Sequence, residues 1–157
     1  MTTTKANTLL KTSVAVGVAA GAGGLATDPK SDWYRELEKP SWQPPPRAFG
    51  IVWPALYSMI AYSAGRAMDR APEPERQRLT RALGVNLVLN TGWSVLFFAA
   101  KSPRAALGEI LALNLSNALL VHHAWRVDRR AGMLLLPYAG WTAFATFLNG
   151  AIARRNR

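Results

Sequence analysis

Ala82-Leu83-Gly84-Val85-Asn86-Leu87-Val88-Leu89-Asn90-Thr91-Gly92-Trp93-Ser94-Val95-Leu96-Phe97-Phe98-Ala99-Ala100 runs for nineteen residues without a charge. A bilayer core of ~30 Å takes roughly 20 mostly apolar residues of helix, so this run has the length of a crossing. Four other stretches match it: Thr8–Thr27, Phe49–Met68, Ala105–Trp125 and Ala131–Ala153. The five together hold 103 of the 157 residues but only three of the 28 charged side chains, Lys11, Arg66 and Glu109. A water-facing helix carries a charged stripe, and these do not. The pattern predicts an all-α, integral, multi-pass membrane protein: one domain over residues 1–157, five transmembrane helices in a bundle, and a long first loop over 28–48.

The rest of the composition narrows the chemistry. The chain has no cysteine, which removes disulfides, thiolate catalysis and Cys-ligated metal sites. Its formal charge of +10 sits in short loops and tails, where membrane proteins meet anionic headgroups. No segment outside the spans is long enough for a separate nucleic-acid domain, and no nucleic-acid partner is expected. Loop two, around Asp69–Arg81, reads as a solvated turn; loops three (Lys101–Arg104) and four (Arg126–Arg130) are tight, so spans three to five are expected as antiparallel neighbours. Lys5 and Lys11 precede the first apolar run, and Ala20-Gly21-Ala22 has the form of a signal-peptide cleavage site, the competing reading of span one. Lys and Arg divide ten against nine between the two sides, so orientation is not set by charge.

Aromatic and amide groups inside the spans carry the functional signal. Trp125, Trp33 and Trp42 suit the headgroup belt. Trp93 and Trp141 fall near the middle of their runs, and Trp53 is intermediate. Asn86, Asn90, Trp93 and Phe97 recur at i, i+4, i+7 and i+11, one side of a helix. An amide facing lipid leaves its hydrogen bonds unmade, so this face should point into the bundle. Tyr138, Trp141, Ala145 and Asn149 repeat the pattern in span five, and Trp53 and Tyr57 in span two. Two readings stay open: interhelical hydrogen bonds that hold the bundle together, or a cavity lined by indole and amide. Pro54 and Pro137 lie within spans, where each removes a helix hydrogen bond. Gly17 and Gly21 form a G-x-x-x-G pair, paralleled by Ala20 and Gly24, suited to close contact with another helix within the chain or across a dimer. Glu109 is the only acidic residue in a span, expected at a boundary near Lys101 and Arg104 or else as a proton-carrying site. His122 and His123 are adjacent on one helix and point about 100° apart, so they do not chelate one ion together, and no metal site is expected.

Five ordered blocks carry a resemblance. Asp32-Trp33-Tyr34, then Lys39-Pro40-Ser41-Trp42-Gln43-Pro44-Pro45, Val52-Trp53-Pro54-Ala55-Leu56-Tyr57, Leu89-Asn90-Thr91-Gly92-Trp93-Ser94 with Phe97-Phe98, and Pro137-Tyr138-Ala139-Gly140-Trp141 through Leu148-Asn149 are similar in order and spacing to the translocator proteins. These are also called tryptophan-rich sensory proteins or peripheral-type benzodiazepine receptors (TspO/MBR). The match runs from about Gly23 to the C-terminus.

The resemblance implies a five-helix bundle, usually dimeric, that binds tetrapyrroles such as protoporphyrin IX or other hydrophobic small molecules in a cavity beneath the first loop. By it, Trp53, Tyr57, Asn90, Trp93, Phe97, Trp141 and Ala145 line the cavity, with Asn86 and Tyr138 on the same faces, and Tyr34 and Pro40-Ser41-Trp42 form part of the cap. Trp53 and Trp141 match the pair implicated in light-dependent porphyrin breakdown; otherwise no catalytic residue is expected and no cofactor is required. Three departures stand out. Arg47 replaces a common aromatic, Asn86 replaces a common glutamine, and Gly150 falls where the animal cholesterol motif needs tyrosine. A porphyrin would gain from the indole and phenyl faces, with its propionates reaching Arg35, Lys39 and Arg47 at the mouth. With no histidine mid-bundle, a metal-free ring without axial ligation is expected, Tyr57 being the one axial candidate. The expected partners are thus a tetrapyrrole, the lipid bilayer, and a second copy through Gly17 and Gly21. A proton-coupled exporter using Glu109 is the remaining alternative.

Overall fold

The computed structural model describes residues 2–157, with side chains from Ala6 onward; the Lys5 side chain, counted above among the tail charges, lies outside them. Five long helices and one short one follow in order: α1 Thr2–Ala26, α2 Asp32–Glu36, α3 Pro46–Arg70, α4 Glu73–Ser94 continued by a π-helical turn Val95–Ala99, α5 Pro103–Val127 and α6 Arg129–Arg155. At 1.5 Å per residue a 25-residue helix is about 37 Å long, more than the hydrocarbon core. Four helices are both long and apolar enough to cross a membrane: α1 from Ala6, α4 with its π turn, α5 and α6. α3 has the length, but Trp53, Pro54, Tyr57 and Tyr62 lower its mean hydropathy.

The expected helix ends are corrected outward. Loop two is not a turn over Asp69–Arg81, because α4 already starts at Glu73 and leaves only Ala71 and Pro72 between helices. That polar stretch is helical because Pro72 and Pro74 pre-set the first turn and i,i+3 pairs support it, Arg78 on Glu75 at 2.7 Å and Arg76 on Glu73 at 3.8 Å. Loop four shrinks to Asp128 alone. Trp93 stays near the middle of the uncharged run but, because the helix begins earlier, stands about a turn and a half before the end of the α4 run on the loop-one side, while Trp141 lies near the middle of α6.

Packing follows the connections. α5 lies along α6 and α4, and α1 along α3. α1 turns Thr12, Val16, Ala19 and Gly23 inward, at the i, i+4, i+7, i+11 spacing of one face. A Cβ on Gly65 would stand 3.2 Å from the Leu9 backbone, so glycine there lets α1 and α3 approach. Gly17 and Gly21 lie on the outer face, where a Cβ would meet nothing from another described element within 4 Å, so their small size is not used in packing among the described residues. Leu79, Leu83, Leu120, Leu135 and Ile60 fill the core, at most 4% exposed. Val18, Val88, Leu115 and Phe147 point outward, 65–74% exposed. Apolar residues on both surfaces suit a hydrocarbon surround. The chain is an integral multi-pass membrane protein.

Asp128 holds the corner opposite loop one. Its Oδ1 caps α6 by accepting from Ala131 N at 3.0 Å, and its Oδ2 lies 2.9 Å from Arg70 Nε and 3.1 Å from Arg66 Nε. Ser63 donates to the Ala131 carbonyl at 2.6 Å alongside. The Arg66 contact is an ion contact, its Nε making no hydrogen bond. Burial alone would raise the Asp128 carboxyl; the Ala131 N–H and the two guanidiniums outweigh it and hold it below its ordinary value.

Candidate functional site

Two layers meet beneath loop one. The deeper is polar. Tyr57 OH donates to Asn90 Oδ1 (2.9 Å), Asn90 Nδ2 to Tyr138 OH (3.0 Å), and Tyr138 OH to Asn86 Oδ1 (3.0 Å). Asn86 Nδ2 continues to Asn117 Oδ1 (2.6 Å), Asn117 Nδ2 to Thr142 Oγ1 (2.7 Å), Thr142 Oγ1 to Asn114 Oδ1 (2.9 Å), and Asn114 Nδ2 to Thr146 Oγ1 (2.6 Å). This chain of bonds ties α3, α4, α5 and α6 together. Asn86, Asn90 and Tyr138 are no more than 5% exposed, and their side-chain polar atoms are all bonded within this chain of groups or to the adjacent Ser116. The amide face of span three therefore does point into the bundle, and there it acts as interhelical glue.

The upper layer is aromatic. Trp53 packs on Tyr57 (5.3 Å between centroids) and, edge-on, against Trp141 (6.5 Å); Phe49 and Phe144 flank Trp141 at 5.6 and 5.5 Å. Beside them Trp93 stacks on Phe97 at 5.0 Å, and Trp33 and Tyr34 come down from α2 onto Phe97 and Phe98. Phe49, Trp93 and Phe144 share the small core of Phe97, Ala106, Leu148 and Ile152, which joins the two groups. The π turn makes this possible. Ala100 N bonds to Val95 O, one residue longer than an α-helical turn, and the adjacent Phe97 and Phe98 both reach Trp93 and Tyr34. In a regular helix neighbours diverge by about 100°. Lys101, at φ 52°, then reverses the chain into α5.

Trp53, Tyr57, Trp93, Trp141 and Ala145 are half-buried, and Phe97 is buried. Trp93 is fixed by donating Nε1 to Asn149 Oδ1 at 2.9 Å, and Asn149 in turn donates to the Pro103 carbonyl at 2.7 Å.

The cap is anchored at both ends. Asn156 at the end of α6 donates to the Glu38 carbonyl (3.0 Å) and accepts from its N–H (2.9 Å). Gln43 donates to Tyr34 OH at 3.2 Å, while its Oε1 is buried without a donor. Burial pushes the Tyr34 hydroxyl up, and the Gln43 bond pulls the other way. Pro40 is buried and Trp42 is exposed, its ring 6.0 Å from Phe144. Trp33 is half-buried against Phe97, a part of the cap and not a free belt anchor. The three mouth cations differ. Arg35 is exposed and paired with Asp32. Lys39 lies 4.5 Å over the Tyr34 ring and donates to the Leu37 carbonyl at 3.1 Å, burial pushing its ammonium down. Arg47 is exposed and makes no ion pair among the described residues.

Glu109 corrects an expectation. It pairs with neither Lys101 nor Arg104; both carboxylate oxygens are buried without a hydrogen-bond partner among the described residues, and Oε1 lies where a Cβ on Gly92 would be 3.7 Å away. Among the described residues no three His, Asp or Glu side chains converge on a metal position.

A helical membrane protein whose longest loop closes over a bed of indole and phenyl rings defines a class, and sequence comparison places the chain in it. The TspO/MBR family model matches residues 12–155, and the chain belongs to that family. It is 33% identical over 153 residues to the tryptophan-rich protein TspO of Chlorobaculum tepidum, covering 94% of this chain and 97% of the relative. It is 32% identical to the tryptophan-rich sensory protein of Cereibacter sphaeroides (90% and 87% covered) and 34% identical to the translocator protein of Homo sapiens (79% and 75%).

Proposed function

We propose that this chain is a membrane tetrapyrrole-binding sensor or carrier in which a protoporphyrin IX-like ring lies between α3, α4 and α6 under loop one. Membership of the TspO/MBR family supports a membrane sensor or porphyrin-related role. The observation that carries the finer reading is the Trp53–Tyr57–Trp141 group, half-buried, with centroids 5.3 and 6.5 Å apart. The rings now meet mostly edge-on or tilted. A flat ligand would exchange those contacts for face contacts, each worth about 0.5–1.5 kcal/mol beyond burial. Asn86, Asn90 and Tyr138 serve as the rigid floor, Tyr34, Pro40 and Trp42 as the cover, and the orphaned Gln43 Oε1 suits a pyrrole N–H. Arg47 is the cation free to meet a propionate, with Arg35 and Lys39 available once their present contacts open. α3 completes a five-crossing bundle, its Phe49, Trp53 and Tyr57 facing the site in place of lipid, and the outward Gly17 and Gly21 pair two copies. No cofactor is needed.

Tryptophan quenching by protoporphyrin IX tests this. The Trp53→Phe/Trp141→Phe double variant should bind at least fivefold more weakly, and an unchanged affinity refutes the reading. The 6.5 Å edge contact of Trp53 and Trp141 favours a second reading, electron donation to a photo-excited porphyrin. Under illumination, equal loss of the Soret band with wild type and double variant would eliminate it.

A further inference from the structure

A groove of about 380 Å³ runs down the outer seam between α4 and α5, away from the aromatic site. Ala82, Val85 and Leu89 line one wall and Ala112, Leu115 and Leu119 the other, with Ser116 beneath. The small Ala82 and Ala112 leave the seam open where larger side chains would close it. At one end stand Arg78, Arg81 and His123; among the described residues no other charged or titratable side chain lines the groove. From Arg78 to Leu89 the α4 wall is about 16 Å long, against ~15 Å for one leaflet of hydrocarbon. Arg78 and Arg81 lie 5 and 8 residues into α4, and His123 lies 4 residues before the end of α5, all at headgroup depth on one side. Arg78 is paired with Glu75, whereas Arg81 is exposed and makes no ion pair among the described residues.

We infer that this seam is a binding site for one anionic phospholipid, its acyl chain in the groove and its phosphate on Arg81, with Arg78 and His123 beside it. The choice of occupant rests on charge and length together. A zwitterionic lipid brings a phosphate already balanced by its own ammonium and so answers Arg81 less fully than an anionic one, and a water-soluble anion would leave the apolar trough unfilled. Arg81 snorkels from the wall to the phosphate, its methylenes covering Val85.

Native mass spectrometry of the full-length chain, titrated with phosphatidylglycerol and with phosphatidylcholine, tests the site. Wild type should prefer phosphatidylglycerol. Arg81→Gln should cut that preference roughly fivefold, the effect of one surface cation. Arg154→Gln, at the other end of the bundle, should leave it unchanged. Ala112→Phe, which fills the trough, should weaken both lipids together. A retained preference in Arg81→Gln, an equal loss in Arg154→Gln, or undiminished binding in Ala112→Phe overturns the inference. Far-UV circular dichroism confirms that each variant is folded. The protoporphyrin test compares wild type with the Trp53→Phe/Trp141→Phe variant, and neither residue lines this groove, so it fails or succeeds independently.

Discussion

Removal of the Asp128 carboxylate should loosen the corner that joins α5 and α6 to α3. Two effects can be separated. As the α6 cap, accepting from Ala131 N at 3.0 Å, the side chain contributes about 1 kcal/mol. As an anion facing Arg66 and Arg70 its contribution is discounted from the buried-pair range, because the Arg70 side chain is 45% exposed and screened; about 1–2 kcal/mol is left. Asp128→Asn keeps a capping oxygen and should lose the second amount alone, whereas Asp128→Ala should lose both, about 2–3 kcal/mol together. Denaturation of the micelle-solubilised protein, followed by far-UV circular dichroism, reads the difference. The pH profile adds a second check. Because the folded carboxyl titrates below its unfolded value of about 3.9, its stabilisation is complete above that pH and is lost as the pH falls through the folded value. Wild type should therefore approach Asp128→Asn in stability under acid and separate from it by pH 6. Identical stabilities of wild type and Asp128→Asn at pH 7 would refute the ionic part. Identical stabilities of the Asn and Ala variants would refute the cap.

Two further outcomes follow from close contacts. A Cβ on Gly132 would meet Trp125 Cα at 2.8 Å, so Gly132→Ala should cost about 1–3 kcal/mol while Gly140→Ala, with nothing within 4 Å, should be neutral or stabilising; equal melting temperatures would refute the packing argument. Glu109 buries two oxygens without a donor, so Glu109→Leu should stabilise the protein by about 1–3 kcal/mol in the same denaturation assay, and a loss of stability would reveal an unseen partner.

Much of the bundle was legible because charge exclusion marks the lipid-facing length of a helix whatever its neighbours do. The same signal misplaced the ends. Glu73–Arg81 is helix as well, stabilised by Pro72, Pro74 and i,i+3 pairs, so a cut at the charges located the end of the uncharged run and not the helix start. The inward faces of spans two, three and five were readable from their amide and aromatic spacing. Their partners on α5, Asn114, Asn117 and Ser116, were visible as polar residues in an apolar run, yet nothing in one sequence says that they meet Asn86 and Thr142 across two other helices. The role of Asp128 leaves no local mark in the sequence, since the two arginines that define it lie 58 and 62 residues earlier. The π turn leaves no mark at all in Val95–Ala99, whose residues would serve equally in an α-helix.

That division bears on how such a site would work. The polar chain from Tyr57 to Thr146 lies in the bundle where no water competes, so its bonds hold four helices in one register and give the aromatic bed a fixed base. Above it the rings meet at centroid separations of 5.0–6.5 Å, Trp93 stacked on Phe97 and Trp53 edge-on to Trp141, contacts that separate and re-form without leaving a polar group unpaired. The cover is held by two hydrogen bonds between Glu38 and Asn156, both exposed to water and therefore cheap to exchange. Stiffness below and exchangeable contacts above are what a flat, greasy ligand requires. Under the proposed reading the floor would stay in place, and the opening would come from loop one and the rings of Phe49, Trp53, Trp141 and Phe144.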